Sequence, residues 1–138
     1  MSARFIVYGL LGWCIEIVFT ALGDRVTGKV QDLRLEGHTY LWMFPIYGGG
    51  GICLEGMRGM MGEILWPFRG LLYTAAIFAV EYATGWLLRR LIGRCPWDYG
   101  GVRWNVHGLI RIDYAPFWFL AGLAFERVHD FLLLLTRP

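Results

Sequence analysis

The sequence is short of charge. Charged residues fill 17% of its 138 positions and the formal net charge is only +2, where a soluble domain carries roughly 25% charged residues. A soluble domain of this size would expose much of its surface and need polar side chains to cover it. The thirteen lysines and arginines are scattered, so no basic patch marks a nucleic-acid partner. Cysteine is also scarce: Cys14, Cys53 and Cys95 are odd in number and lack zinc-type spacing. That pattern excludes a disulfide framework and predicts buried thiols. No A-x-A-like cleavage site ends the first apolar segment, so that segment reads as a retained helix. No G-x-x-x-x-G-K-[ST] motif occurs, so any ATPase acting with this chain would be a separate polypeptide.

What is abundant is apolar and aromatic. Hydrophobic residues make up 57%, with seven Trp, seven Tyr and nine Phe. The chain therefore reads as an integral membrane protein. A spanning helix needs about 20 mostly apolar residues, and four segments qualify: about Arg4–Leu22, Tyr40–Met61, Trp66–Leu88 and Tyr114–Leu135. The expected fold is an all-α, four-helix membrane bundle. Arg25, Lys29, Arg34, Arg89, Arg90, Arg94 and Arg103 lie in the loops after the first and third segments. Arg4, Arg58, Arg69 and Arg137 lie on the other side. The richer side faces the cytoplasm by the positive-inside rule, leaving both termini non-cytoplasmic.

An internal duplication is visible when segments are slid over one another. At an offset of 65, Arg4 meets Arg69, Tyr8 meets Tyr73, Glu16 meets Glu81, Arg25 meets Arg90 and Gly28 meets Gly93. At an offset of 71, Gly37 meets Gly108, Pro45 meets Pro116, Gly51 meets Gly122 and Glu55 meets Glu126. The chain thus divides into two two-helix repeats, about 1–62 and 63–138, sharing one orientation. Parallel repeats of this kind place a transport site at their interface.

Each apolar segment holds one glutamate: Glu16, Glu55, Glu81 and Glu126. Each glutamate has a glycine four residues away (Gly12, Gly51, Gly85, Gly122), hence on the same helix face. Small residues let helices approach closely in lipid, which points the carboxylates inward. An ionisable group at mid-membrane costs about 2.5–3.5 kcal/mol, and by default marks a substrate, ion or proton pathway. A cluster that only holds the helices together is the competing structural explanation. Glu126, His129 and Asp130 share a face by spacing, and Glu-x-x-His is a di-metal carboxylate signature. Glu16, Glu55, Glu81, Glu126 and His129 are accordingly the metal candidates. An ion pair of a glutamate with Arg58 or Arg127 explains the same residues without a metal. In the linker CPWDYGGVRWNVH, aromatic anchors and a turn account for most residues, while Asp98, Asn105 and His107 could present polar groups to a ligand. His38 in the first linker could join them.

Three stretches carry a family resemblance: GWCIE at 12–16, PIYGGGG at 45–51, and WDY at 97–99 followed by NVHGLI at 105–110. Together they resemble the ABC-transporter type IV membrane protein family, over most of the chain from Gly12 to about Ile110. The resemblance implies Glu16, Pro45, Tyr47, Gly48, Gly50, Trp97, Asp98, Tyr99, Asn105 and Gly108 as family positions. Gly100 follows WDY where the family often has serine, and LEGHTYLWMF precedes PIYG where the family usually has an Asn-Arg-Gly run.

Two function classes follow. The first is a transport or channel component for a cation, a proton-coupled or a small-molecule substrate. For so small a chain it implies a homo-oligomer or a partner membrane protein, in contact with membrane lipid. The second is a membrane-embedded enzyme using Glu, His and Asp for acid–base or metal chemistry on a lipid-like substrate. Composition and spacing name no cofactor. The glycine run before Glu55 reads as a site of close backbone approach or a break after Pro45.

Overall fold

The computed structural model describes residues 2–30 and 32–136. It is mostly helical, with α1 at Ser2–Val26, α2 at Met43–Met61, α3 at Trp66–Ile92 and α4 at Ala115–Thr136. A short antiparallel ladder pairs β1 (Asn105–Val106) with β2 (Ile110–Arg111) in the α3–α4 linker, followed by a 3-10 turn at Ile112–Tyr114. The chain forms two compact units, Met1–Ile52 and Cys53–Pro138, with the boundary inside α2. Arg137, used above in the charge count, lies outside the described residues.

Helix ends follow the glycines that can turn left-handed. Gly23-Asp24-Arg25 does not stop α1, which continues to Val26; Gly28 has φ +74° and takes the turn instead. α3 likewise runs through Arg89-Arg90 to Ile92 and ends on Gly93 at φ +77°. A left-handed residue just past the last turn is strained for any side chain and open to glycine. Pro67 sits in the first turn of α3, where its missing N–H is no loss. Pro45 is likewise near the start of α2, and the four glycines after it remain helical without a break.

In the first unit, α1 and α2 interlock aromatic rings with bare backbone. Phe5 lies against Gly48, Tyr8 against Gly51, Phe44 against Gly9 and Tyr47 against Gly12. A methyl group at those four glycines would sit only 2.8, 2.6, 2.8 and 2.3 Å from the rings or their Cβ atoms. This is the small-residue packing that membrane helices use in place of a hydrophobic drive. Gly49 and Gly59 have nothing within 4 Å, so only part of the glycine run serves close approach. The linker from Gly37 to Tyr40 is strapped along α1. Trp13 Nε1 donates to Tyr40 O at 3.1 Å, Thr39 donates to Glu16, and Thr20 exchanges two 2.9 Å bonds with His38 backbone. Residues 13, 16 and 20 recur on one helix face. Gly37 is bare because a methyl there would lie 2.0 Å from Ile17 O.

In the second unit, the core forms from Leu54, Met61 and Tyr73, with Met57, Ala76, Ile77 and Phe125 around them. Tyr73 crosses Gly122 and Phe119 crosses Gly70, each leaving 2.3 Å to an added methyl. Leu109, 1% exposed, plugs the other end over Gly85.

Several of these contacts fall on equivalent positions at the two offsets. Tyr8–Gly51 corresponds to Tyr73–Gly122. Phe5–Gly48 corresponds to Gly70–Phe119 with ring and glycine exchanged. Thr20 holds His38 where Gly85 receives Leu109, and α1 and α3 turn on Gly28 and Gly93.

Large apolar side chains cover much of the outside, among them Ile15, Val18, Leu22, Leu71, Trp86 and Leu91. Among the described residues two helices, α1 and α3, are long and apolar enough to cross a membrane. Only 11% and 17% of those stretches are buried within the fold. A core helix of a water-soluble protein would be mostly covered, so this apolar surface calls for lipid or a partner. Cys14 and Cys53 are part of it: both are exposed, contrary to the expectation of buried thiols, because they lie on outward helix faces; Cys95 is half-buried.

Candidate functional site

The four glutamates do not share one environment. Glu126 on α4 is 7% exposed and is gripped by α3. Arg69 Nε donates to its Oε1 at 2.7 Å and Nη2 to its Oε2 at 3.0 Å, and Tyr73 Oη donates to Oε1 at 3.1 Å. Arg58 on α2 places Nε 3.8 Å from the same oxygen. Arg69 also donates to Ile64 O at 2.6 Å, which ties the α2–α3 turn to the fork. A bidentate guanidinium–carboxylate pair is a strong, directional contact. One turn along α4, His129 is 7% exposed, stacks on Phe125, and sets Nδ1 3.6 Å from Glu55 Oε2. Asp130 is exposed and apart from this cluster.

Among the described residues, Glu81 on α3 has no cation beside it. Tyr99 Oη donates to Oε1 at 3.1 Å. Its Oε2 and the Trp118 indole Nε1 are both shut off from solvent, and neither has a well-formed hydrogen bond; the indole still lies beside the carboxyl group. Glu16, the equivalent position in the first unit, likewise takes its bond from a neutral hydroxyl, that of Thr39. Tyr47 packs against Gly12, one turn before Glu16.

The linker above Glu81 is a folded cap. Trp97 Nε1 donates to Leu109 O at 2.9 Å and Tyr99 N to Gly108 O at 2.9 Å. Asn105 donates to Val102 O and accepts from Gly108 N at 2.8 Å. His107 and Gly108 have φ +54° and +69° and Leu109 N bonds Val106 O, the pattern of a tight primed hairpin turn. Asp98 accepts from Gly100 N at 2.8 Å, and His107 Nδ1 meets Tyr82 Oη at 2.8 Å. Asp98, Asn105 and His107 thus each have a partner within the unit, and Trp97, Tyr99, Asn105 and Gly108 build the cap. Arg111 closes its far side, 4.2 Å over the Tyr114 ring and bonded to Asp113.

Charge in the cap follows these contacts. Burial, then the neighbouring Glu81 carboxyl, pushes the Tyr99 phenol above its usual range, so it stays a donor. Burial also raises the Cys95 thiol. The hydrogen bonds from Arg111 hold Asp113 below the usual carboxylate range.

Among the described residues, no three His, Cys, Asp or Glu side chains come together as metal ligands. Of the metal candidates Glu16, Glu55, Glu81, Glu126 and His129, Glu55 and His129 face each other, and the arginine fork fills both oxygens of Glu126. Spacing alone pointed to Arg58 but not to Arg69 or Tyr73. Their signal was present: they lie four apart on one helix face and match Arg4 and Tyr8 in the duplication. The stretch GDRVTGKV at 23–30 approaches a phosphate-binding loop but ends in valine where a hydroxyl is needed. Its first half is α-helix and Lys29 pairs with Asp24 at 3.2 Å.

The family model described as putative ABC-transporter type IV matches residues 3–136. No solved structure matches the chain.

Proposed function

The chain belongs to the putative ABC-transporter type IV family, and from that premise we propose that it is a multi-pass membrane protein acting as a proton-coupled transport or channel component. The observation that carries this reading is the half-filled environment of Glu81: among the described residues, one phenol donor, no cation, and an oxygen without a well-formed bond beside an equally unsatisfied indole. An intramembrane carboxyl so placed marks a proton or ion pathway by default. Glu126, bonded by Arg69 and Tyr73 with Arg58 3.8 Å away, is read as a fixed structural pair. Residues 1–138 carry no G-x-x-x-x-G-K-[ST] phosphate loop, so they are read as the membrane part of any ATP-driven system. The two units are read as repeats of one helical hairpin, which the equivalent contacts and helix ends support.

Reconstitution into vesicles with a trapped pH indicator and an imposed potential tests this. The expected result is acidification faster than in empty vesicles, lost in Glu81→Gln and kept in the exposed-site variant Asp130→Asn. Equal rates for wild type and Glu81→Gln, or no rate above empty vesicles, would overturn it.

A further inference from the structure

The carboxy-terminal half of α3 carries a groove that the proton reading does not use. Tyr82, Ala83, Trp86 and Leu87 line an open apolar depression of about 420 Å³. Arg90 lies 4.9 Å over the Trp86 ring, which parks a guanidinium at the end of that groove. A second cavity of about 250 Å³ follows, lined by Arg89, Gly93, Arg94, Cys95, Trp97 and Asp98. Three arginines therefore crowd the last turn of α3 and the residue after its glycine cap. Among the described residues none of the three is in an ion pair: Arg89 donates to His107 O at 3.0 Å and Arg90 stacks on Trp86. The one carboxylate in the cavity, Asp98, is engaged by Gly100 N at 2.8 Å. A helix carboxyl terminus favours a cation through its dipole, but that effect falls off within one turn and does not call for three.

We propose that this face of α3 binds one anionic phospholipid, its acyl chain along Tyr82–Leu87 and its phosphate between Arg90 and Arg94. The groove is apolar where a chain would lie, aromatic at the level of the membrane interface where Trp and Tyr are favoured, and cationic where the headgroup would emerge. The charge is what selects the occupant: a second protein copy or a neutral lipid would leave the arginines unanswered. The inference rests on the membrane reading above and is independent of the role given to Glu81.

The test uses the full chain in phosphatidylcholine vesicles with trace nitroxide-labelled lipid, scoring the motionally restricted fraction by electron paramagnetic resonance. Labelled phosphatidylglycerol is expected to be restricted over labelled phosphatidylcholine by roughly fivefold per arginine engaged. Arg90→Gln with Arg94→Gln brings the ratio toward one; both side chains are exposed, so the helix remains. Excess inorganic phosphate leaves the ratio unchanged. A ratio near one in the wild type, or one untouched by the double variant, overturns the proposal. Displacement by inorganic phosphate overturns it in favour of a free-anion site. Self-crosslinking of an Ala83→Cys variant in place of lipid restriction overturns it in favour of a second copy. Absence of any restricted lipid would remove the membrane reading itself.

Discussion

Tyr73 lies across the bare backbone of Gly122, leaving 2.3 Å between its Cβ and the place where a methyl group would stand. The contact is rigid on both sides, because Tyr73 is fully buried and its hydroxyl is held by Glu126. Gly122→Ala is therefore expected to destabilise by about 1–3 kcal/mol, the scale of overpacking a filled site. Gly49→Ala, with nothing within 4 Å, is expected to be neutral or to stabilise by up to about 1 kcal/mol through helix propensity. Thermal unfolding of the two variants in the same detergent separates them. Equal effects would mean that neither glycine is there for packing.

Glu126→Gln removes the anion that Arg69 and Arg58 share. Breaking a buried pair from one side costs about 3–5 kcal/mol. A smaller loss, about 1–3 kcal/mol, is expected because Arg69 keeps its bond to Ile64 O and the glutamine retains an acceptor oxygen. Denaturant titration measures it, and a change under about 1 kcal/mol would show the fork to be dispensable.

Gly85 supports the cap: a methyl there would lie 2.9 Å from Leu109, 3.0 Å from Trp97 and 3.3 Å from Cys95 Sγ. Burial keeps the Cys95 thiol protonated beyond its usual range, and the thiolate is the reactive form. Cys95 should therefore alkylate slowly in a Cys14→Ser, Cys53→Ser background. Gly85→Ala should speed it severalfold by lifting the plug; an unchanged rate would place the methyl elsewhere.

Asp113 gives the cap a defined acid response. Its carboxyl is held below the usual range by Arg111. The folded-state value is depressed, so this contribution is present above the unfolded value of about 4 and is lost as pH falls through the folded one. Asp113→Asn should lower stability at neutral pH and so flatten the loss below about pH 4, the two proteins converging in acid. Unfolding midpoints across that range decide it; identical acid limbs in both proteins would refute the pairing.

Four helices were legible in the sequence because runs of apolar residues are long and the breaks between them are polar. Their ends were less so. Gly23 looks like a stop but is helical, while Gly28 makes the turn, and spacing alone does not distinguish two nearby glycines. The glycines one turn from each glutamate announced close packing, and a methyl added at Gly12, Gly51, Gly85 or Gly122 would stand within 3 Å of a neighbour. What each carboxylate meets was not legible, since partners such as Tyr99, Thr39 and Arg69 come from other elements. Periodicity also placed Asp130 with Glu126 and His129, yet the helix turns it outward.

The strap of residues 37–40 along α1 has a consequence for the order of events during synthesis. Trp13, Glu16 and Thr20 take hold of Tyr40, Thr39 and His38, and Gly9 and Gly12 wait for Phe44 and Tyr47, all within the first 52 residues. Domains tend to fold from the amino terminus as the chain emerges. The first unit can thus complete its own contacts while the second is still being translated.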